Sequence, residues 1–260
     1  MSKAFDIAAS SYDTTFTHTK IGISQRKKVY QNLDFLINHD KKIDILELNC
    51  GTGEDAIAFT QKGHRVIATD ISEKMIEVAT TKHNLDTLNF QVLDSRFLQE
   101  NFIDKQFDVI FSNFGGLNCV NPTELENLFQ SATKILKPNG RLIMVFMPKH
   151  CIWEQLYFFI KGDFQKSSRR NTKEELLVNV EGLDVPTWYY NPKNIKDRMK
   201  GSYEVTNLVP VGITIPPSYL EHSILTKFPI WPLLKKIENL LSYRFLAKYA
   251  DHFLIELTKK

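Results

Sequence analysis

Between Ile43 and Phe146, short apolar runs alternate with stretches whose apolar residues recur at helical spacing. KIDILELN, HRVIATD, LNFQVLD, FDVIFSN and GRLIMVFM read as strands, and EDAIAFTQKG, SEKMIEVATTK and PTELENLFQSATKIL as the helices between them. Strands with near-continuous apolar cores are buried on both faces, so strand and helix taking turns imply a parallel sheet covered on both sides. The expected fold is α/β and doubly wound.

The flanks have another texture. Residues 1–40 form a preface whose later part, IGISQRKKVYQNLDFLI, carries apolar residues at helical spacing. After Met147, CIWEQLYFFIKG reads as a helix, SSRRNTKEE as a loop and VNVEGLDVPTWYY as two strands around a turn. PKNIKDRMKG then reads as a helix and YEVTNLVPVGIT as a strand. Prolines 216, 217, 229 and 232 punctuate the next segment, WPLLKKIENLLSYRFLAKYA reads as one amphipathic helix, and HFLIELTK as a closing strand. The expected division is a lid over 1–40, a ligand-binding core over 41–150, an inserted cap over 151–200 and completion of the sheet over 201–260.

Composition narrows the picture without redirecting it. A chain of 260 residues suits one elaborated domain better than two, and 43% hydrophobic with 24% charged residues is ordinary for a globular protein. With 33 basic against 30 acidic side chains the net charge is +3, so no overall field recruits a polyanion and no nucleic-acid partner is expected. MSKAFDIAASSYD lacks a basic region followed by an apolar core, and no apolar run approaches membrane-spanning length; the expected location is the cytoplasm. Cys50, Cys119 and Cys151 are unevenly spaced with no C-x-x-C element, which reads as reduced thiols and no metal site. Nothing fixes an oligomeric state.

Candidate chemistry concentrates in ILELNCGTGEDAIAF, a strand, a glycine-punctuated turn and a helix start. Gly51 and Gly53 let a ligand approach the main chain closely. Glu54 and Asp55 stand at the helix start where a dinucleotide would place its pyrophosphate, and Glu47 adds a carboxylate before the turn. Such acids suit a cationic or zwitterionic ligand. Asp70, ending the second strand, is placed to accept from ribose hydroxyls. Asp94, ending the third, is placed to accept from an adenine amino group, with Ile71 and Met75 against the ring. Cation, ribose and adenine together describe S-adenosylmethionine. The competing reading of each is local: glycines that turn the chain, and aspartates that cap the next helix.

LELNCGTGEDA, VIATDISEKMI, VLDS, FDVIFSNFGGLN and LKPNGRLIMVF, in that order, resemble the class I S-adenosylmethionine-dependent methyltransferases, particularly the small-molecule branch that includes quinone-biosynthesis methyltransferases. The resemblance implies a Rossmann-like, mostly parallel seven-stranded sheet with an N-terminal helical lid and an inserted cap. It also implies that Glu47 and the backbone of Asn49, Cys50 and Gly51 contact the methionine amine, with Thr52 and Gly53 shaping the loop. Asp70 would hold ribose, Asp94 and Ser95 would flank adenine, and Asn113 with Phe114 would cross the face near the methyl group. Tyr12 and Arg26 would close over the cofactor, Arg26 pairing with its carboxylate. Asn49 departs from the pattern, which has glycine there.

A sulfonium is already an activated donor, so alignment and exclusion of water come first, and a base is needed only for an acceptor with a proton of high pKa. His150 and His222 are candidates for that base. Trp153, Tyr157, Phe158, Phe159, Trp188, Tyr189 and Tyr190 give the cap aromatic walls suited to a small planar or lipophilic acceptor methylated at oxygen, nitrogen or carbon. Leu233, Leu234, Ile237, Leu240, Leu241 and Phe245 beside Lys235, Lys236, Arg244 and Lys248 either pack on the sheet or touch a membrane surface. Two rival readings stand beside the methyltransferase: a nicotinamide-dependent oxidoreductase using the same loop, and a noncatalytic cofactor-binding interaction module.

Overall fold

The computed structural model describes residues 2–37, 41–82 and 85–260; the last three positions of the expected lid, 38–40, lie outside the described residues. The preface contains α1 (Ser2–Ala8), a single π-type turn at Asp13–Thr17, α2 (Lys20–Tyr30) and the short α3 (Asp34–Ile37). Thr19 caps α2 by accepting from the Gly22 amide. The core then runs β1 (Asp44–Leu48), α4 (Glu54–Gln61), β2 (Arg65–Asp70), α5 (Glu73–Lys82), β3 (Leu88–Val92), α6 (Leu98–Asn101), β4 (Phe107–Ser112), α7 (Pro122–Ile135) and β5 (Leu136–Phe146). Asn121 and Pro122 start α7, the side chain accepting from the Thr123 and Glu124 amides and proline filling the first helical position.

Beyond the core come α8 (Ile152–Ile160), α9 (Phe164–Ser167), a hairpin of β6 (Leu176–Val180) and β7 (Leu183–Thr187), α10 (Pro192–Arg198), β8 (Tyr203–Val211), α11 (Ile230–Leu240) and β9 (His252–Lys259). The main sheet has seven strands in the order β3-β2-β1-β4-β5-β9-β8, and β9 runs antiparallel to both neighbours. This is the mostly parallel, seven-stranded, doubly wound sheet that the resemblance implies, and the hairpin stands apart from it.

Side-chain alternation divides the core into two layers. Leu142, Met144 and Phe146 of β5 join Phe253, Ile255 and Leu257 of β9 under α7 and α10. Ile143, Val145 and Leu254 point to the other layer, with Val29 of α2 and Ala56 and Phe59 of α4. The sheet is thus closed on both faces, leaving its strand ends as the place where polar groups converge.

Three boundaries differ from the expectation. β3 stops at Val92, so Asp94 lies in the following loop and caps the turn Ser95–Phe97. β5 begins at Leu136, before the glycine that was read as its start. The helix expected over 231–250 ends at Leu240, where Lys28 Nζ donates to the Glu238 carbonyl and to Ser242 Oγ, both at 2.8 Å. The chain then turns so that Ala247 is buried against the sheet, a tertiary contact that overrides the helical pattern. Among the described residues no helix is long and apolar enough to cross a membrane.

Candidate functional site

β1 ends beside β4, where the strand order of the sheet reverses, and open α/β sheets receive ligands in the crevice at such a point. The chain passes from β1 to α4 through Asn49, Cys50, Gly51, Thr52 and Gly53, with φ of 56° at Asn49, 54° at Gly51 and 81° at Gly53. Glycine is also a packing requirement at Gly53, since a Cβ there would stand 2.7 Å from the Phe90 ring. Asn49 is one of the few residue types that tolerate the left-handed region. Its side chain packs against a compensating glycine: a Cβ on Gly116 would lie 2.4 Å from Asn49 Cβ. Ser112 Oγ donates to Asn49 Oδ1 at 3.3 Å, tying the departure from the motif to β4. Cys50 is buried and its thiol pKa is pushed well up by burial, which leaves it unreactive.

Two acids face the turn. Glu47 on β1 is 1% exposed, and its Oε2 has no hydrogen-bond partner. Burial, with Asp55 and Asp70 nearby, pushes its carboxyl well above the ordinary range against the pull of Arg26. Asp70 at the end of β2 accepts from the Gly51 amide through Oδ2 and from the Ser72 amide through Oδ1, both at 2.9 Å. Burial raises its pKa despite those amides. The cap of α5 is Ser72, whose Oγ accepts from the Met75 amide at 3.1 Å. Asp70 is therefore committed to the turn, with lone pairs to spare on each oxygen.

The preface lies across this edge. The Tyr12 ring stands 3.8 Å from where a Cβ on Gly51 would lie, and burial pushes its phenol up to about 12. Thr52 Oγ1 donates to Asp13 Oδ1 at 2.6 Å, and Ser72 Oγ donates to Asp6 Oδ1 at 2.6 Å. Met75 packs with Ala8 and Ala9, and Ile71 is half-buried. Tyr12, Phe16, Phe114 and His252 form a row of rings across the strand ends, with successive centroids 5.7, 5.1 and 5.7 Å apart. A cavity of about 530 Å³ is lined by Thr17, His18, Arg26, Tyr30 and Glu54 rather than by the glycine turn.

Asp55 corrects the electrostatic expectation. Its Oδ1 accepts from Arg26 Nε at 3.0 Å and from Tyr30 Oη at 2.5 Å, and its Oδ2 from Asn113 Nδ2 at 3.0 Å. It is a balanced internal anion, not an open charge at the helix start. Burial works against the Arg26 charge, but Asp55 and the neighbouring tyrosines hold its pKa above the ordinary value, and the guanidinium lies 5.1 Å from the Phe114 centroid. Asn113 is engaged with Asp55 and with the Phe114 amide. The acceptors left for a ligand at the turn are the unpartnered Oε2 of Glu47 and the spare lone pairs of Asp70.

The remaining expected residues are more scattered. Asp94 caps its turn through the Arg96 amide and is clasped by the Arg96 guanidinium, which outweighs burial and lowers its pKa; Ser95 beside it is buried. His150 lies 6.3 Å from Tyr249, its pKa lowered by burial and by Lys248 and Lys149. His222 is exposed on the segment after Pro217. Neither belongs to the row of rings.

His252 does, and the sequence did not single it out. Its Nδ1 lies 3.2 Å from Oδ2 of buried Asp251 without the alignment of a hydrogen bond, and Gln25 Nε2 of α2 donates to the same oxygen at 3.1 Å. Arg170 Nη2 reaches Asp251 Oδ1 at 3.2 Å and Glu154 Oε2 at 3.0 Å. Burial disfavours the Asp251 charge, but His252 and Arg170 hold its carboxyl below the ordinary range. The available signal was strand direction: β9 runs antiparallel, so the residues opening HFLIELTK return to the edge that carries the glycine turn. Asn118 was missed as well. Fully buried, it donates to the carbonyls of Met147 and Trp188 and accepts from the Met147 amide, fastening β7 to the end of β5. Tyr190 is correspondingly part of the main core rather than of a separate cap wall.

Comparison with known proteins gives this geometry a setting. The family described as methyltransferase domain matches residues 45–140. The chain is 32% identical over 146 residues to a demethylmenaquinone methyltransferase of Clavibacter sepedonicus, covering 55% of this chain and 56% of that protein. It is 34% identical over 187 residues to a malonyl-[acyl-carrier protein] O-methyltransferase of Bacillus cereus, covering 68% and 62%. The chain spans about half the length of the curated relatives it matches. Among solved structures, a magnesium protoporphyrin IX methyltransferase from Synechocystis PCC 6803 with bound SAH shares the fold at a TM-score of 0.59 and 16% identity, over 92% of this chain and 85% of that one. Motif order, sheet order and core likeness together identify residues 45–140 as a methyltransferase domain, in a chain that resembles the class I S-adenosylmethionine-dependent methyltransferases of quinone biosynthesis.

Proposed function

We propose that this protein transfers a methyl group from S-adenosylmethionine to a small aromatic or lipophilic acceptor. The observation that carries the reading is the buried, unpartnered Oε2 of Glu47 beside a turn whose second acid, Asp70, is already oriented by the Gly51 amide. Leaving such an oxygen unsatisfied costs ~1–3 kcal/mol, and an ammonium group satisfies it. The residues present fit the cofactor. Glu47 and the backbone of Asn49, Cys50 and Gly51 would hold its amine, Arg26 its carboxylate and Asp70 its ribose. Ile71, Met75, Asp94 and Ser95 would frame adenine, Thr52 and Gly53 would shape the loop, and Tyr12 with Phe114 would cover it. S-adenosylmethionine, when bound, supplies an activated methyl group on a sulfonium.

The chain's own residues do the rest. Residues 2–37 act as the lid: Tyr12 and Phe16 exclude water, and the lid is tied down through Asp6 to Ser72 and Asp13 to Thr52, side-chain bonds that can part for entry. Residues 151–200 act as the cap that shapes the acceptor site. His252, backed by Asp251 at one end of the ring row, is the group best placed to take a proton from an acceptor hydroxyl or amine. A relative named for demethylmenaquinone supports a lipophilic acceptor, and the fold neighbour with bound SAH supports the cofactor.

A nicotinamide-dependent oxidoreductase would have to seat a pyrophosphate beside Asp70, whose carboxylate repels it and already holds the Gly51 amide that a phosphate would need. Titration calorimetry with S-adenosylhomocysteine and with NADH separates the two. The expected result is S-adenosylhomocysteine binding that weakens about 100-fold in Asp70→Ala, the loss of ~3 kcal/mol of charge-assisted bonding. NADH binding without a response to S-adenosylhomocysteine would overturn the proposal.

A further inference from the structure

We infer that the face made by α8, α9 and the segment from Tyr219 to Leu240 docks on an anionic membrane surface; this rests on surface chemistry and not on the reaction proposed above. Large apolar side chains stand out of this face: Phe228 is 88% exposed, Ile160 74%, Leu240 70% and Ile224 68%. Isolated exposed apolar residues are ordinary, but a cluster on adjoining segments marks an interaction surface. These segments adjoin: the Phe159 and Phe164 rings lie 5.3 Å apart, and Tyr157 of α8 meets Tyr219 at 5.6 Å. The apolar groups are also not the inward face of a helix waiting for its core. α11 already buries Trp231 and Glu238 and packs Leu234 against Ile21 and Ile215, so Leu233 and Leu240 remain outside after the helix has docked.

Charge selects the partner. Residues 152–167 and 219–240 carry the lysines Lys161, Lys166, Lys227, Lys235 and Lys236, all exposed. The acids of the same stretches are committed elsewhere. Glu154 is buried against Arg169 and Arg170. Asp163 caps α9 and pairs with Lys166, so these two charges offset each other and Lys161, Lys227, Lys235 and Lys236 supply the excess. Glu221 accepts from the first amides of α2 at Lys20 and Ile21, and Glu238 is buried, accepting from the Gly212 and Thr214 amides. Outwardly the face is therefore aromatic, aliphatic and positive. That is the composition of an interfacial membrane-binding surface, in which apolar groups enter the headgroup boundary while lysines meet anionic lipid. A second copy of the chain is disfavoured as occupant, because a two-fold contact would bring the lysines of both copies together.

Sedimentation of the full chain with phosphatidylcholine vesicles, with and without phosphatidylglycerol, tests the assignment. Binding is expected only with phosphatidylglycerol and should be lost at ~1 M salt, where the screening length falls to about 3 Å. Lys227→Glu and Lys236→Glu should each weaken binding at least about fivefold, a lysine near such a surface contributing ~1 kcal/mol. Ile224→Ser/Phe228→Ser should weaken it further while leaving the circular dichroism spectrum and melting temperature unchanged, since both side chains are exposed. Three results would overturn the inference: protein left in the supernatant with phosphatidylglycerol vesicles at low salt, equal binding by the serine variant, or a lipid-free dimer in sedimentation velocity that the serine variant abolishes.

Discussion

Two buried aspartates, Asp55 and Asp251, sit near the same edge of the sheet, and adjacent residues of α2 reach them: Arg26 bonds Asp55 and Gln25 bonds Asp251. Their surroundings differ in kind. Asp55 is held by Arg26, Tyr30 and Asn113, all supplied by the lid and the core. Asp251 gathers Gln25 from the lid, Arg170 from beyond α9 and the His252 ring beside it, with Cys151 Sγ 3.8 Å away. The first network ties α2 and the end of β4 to the helix that follows the glycine turn. The second joins α2, the segment after α9 and the start of β9, three stretches far apart in the chain.

The largest separation between them should appear on removing the arginines. Arg170→Met removes the cation that bridges two buried carboxylates at once, leaving Glu154 to Arg169 and Asp251 to Gln25 and His252, and breaking buried pairs in this way costs ~3–5 kcal/mol. Arg26→Met deprives a single carboxylate, and Asp55 keeps its bonds from Tyr30 and Asn113, so the expected cost is smaller, ~1–3 kcal/mol. Urea unfolding of both variants reads the difference as a shift in midpoint at constant slope. Equal losses would erase the distinction drawn here. Acid adds an independent reading. The folded-state pKa of Asp251 is depressed, so its contribution is full above the unfolded value near ~3.9 and disappears as pH falls through the folded value. Arg170→Met raises that folded pKa, and its acid unfolding should begin at a higher pH than in the parent.

The same contrast explains what could be read in advance. Strands from Ile45 to Phe146 and the helices between them follow from periodicity, because parallel strands buried on both faces leave little room for another pattern. Glu47 and Asp70 were legible since a strand end followed by a glycine turn fixes where they stand. Asp251 and Arg170 were not legible: their partnership spans |i−j| of 81 and depends on how the cap folds back. The occupation of Asp55 was missed for a related reason. Counting acids at a helix start gives their charge but not the arginine and tyrosine that arrive from α2 to balance it.

Glu47 sharpens the comparison from the ligand side, because unlike Asp55 and Asp251 it has a buried oxygen without a partner. Its pKa in the free protein is raised, chiefly by burial, and an ammonium placed beside it would lower it. Binding of S-adenosylhomocysteine should therefore release a proton, and affinity should rise with pH across the interval between the free and bound pKa values. Calorimetry in two buffers of different ionisation enthalpy measures that release. Glu47→Gln should abolish it and weaken binding about 10- to 100-fold, the effect of losing a charge-assisted hydrogen bond. A buffer-independent enthalpy in the parent protein would remove Glu47 from the amine site.

The smallest effect expected lies within the turn itself, where the Asn49 side chain fills the space that Gly116 leaves open. Gly116→Ala alone forces a Cβ to within 2.4 Å of Asn49 Cβ, an overpacking that should cost ~1–3 kcal/mol. Asn49→Gly alone relieves the positive φ of a residue with a side chain but gives up the bond from Ser112, and the net change should be within ~1 kcal/mol. Made together, the two substitutions remove the collision, so the double variant should recover most of the stability lost by Gly116→Ala. The coupling energy from this cycle is the measurement, since two residues in contact are expected to deviate from additivity. Strict additivity would mean that the loop after β4 moves to absorb the new methyl group, and that Asn49 fits its position without help from Gly116.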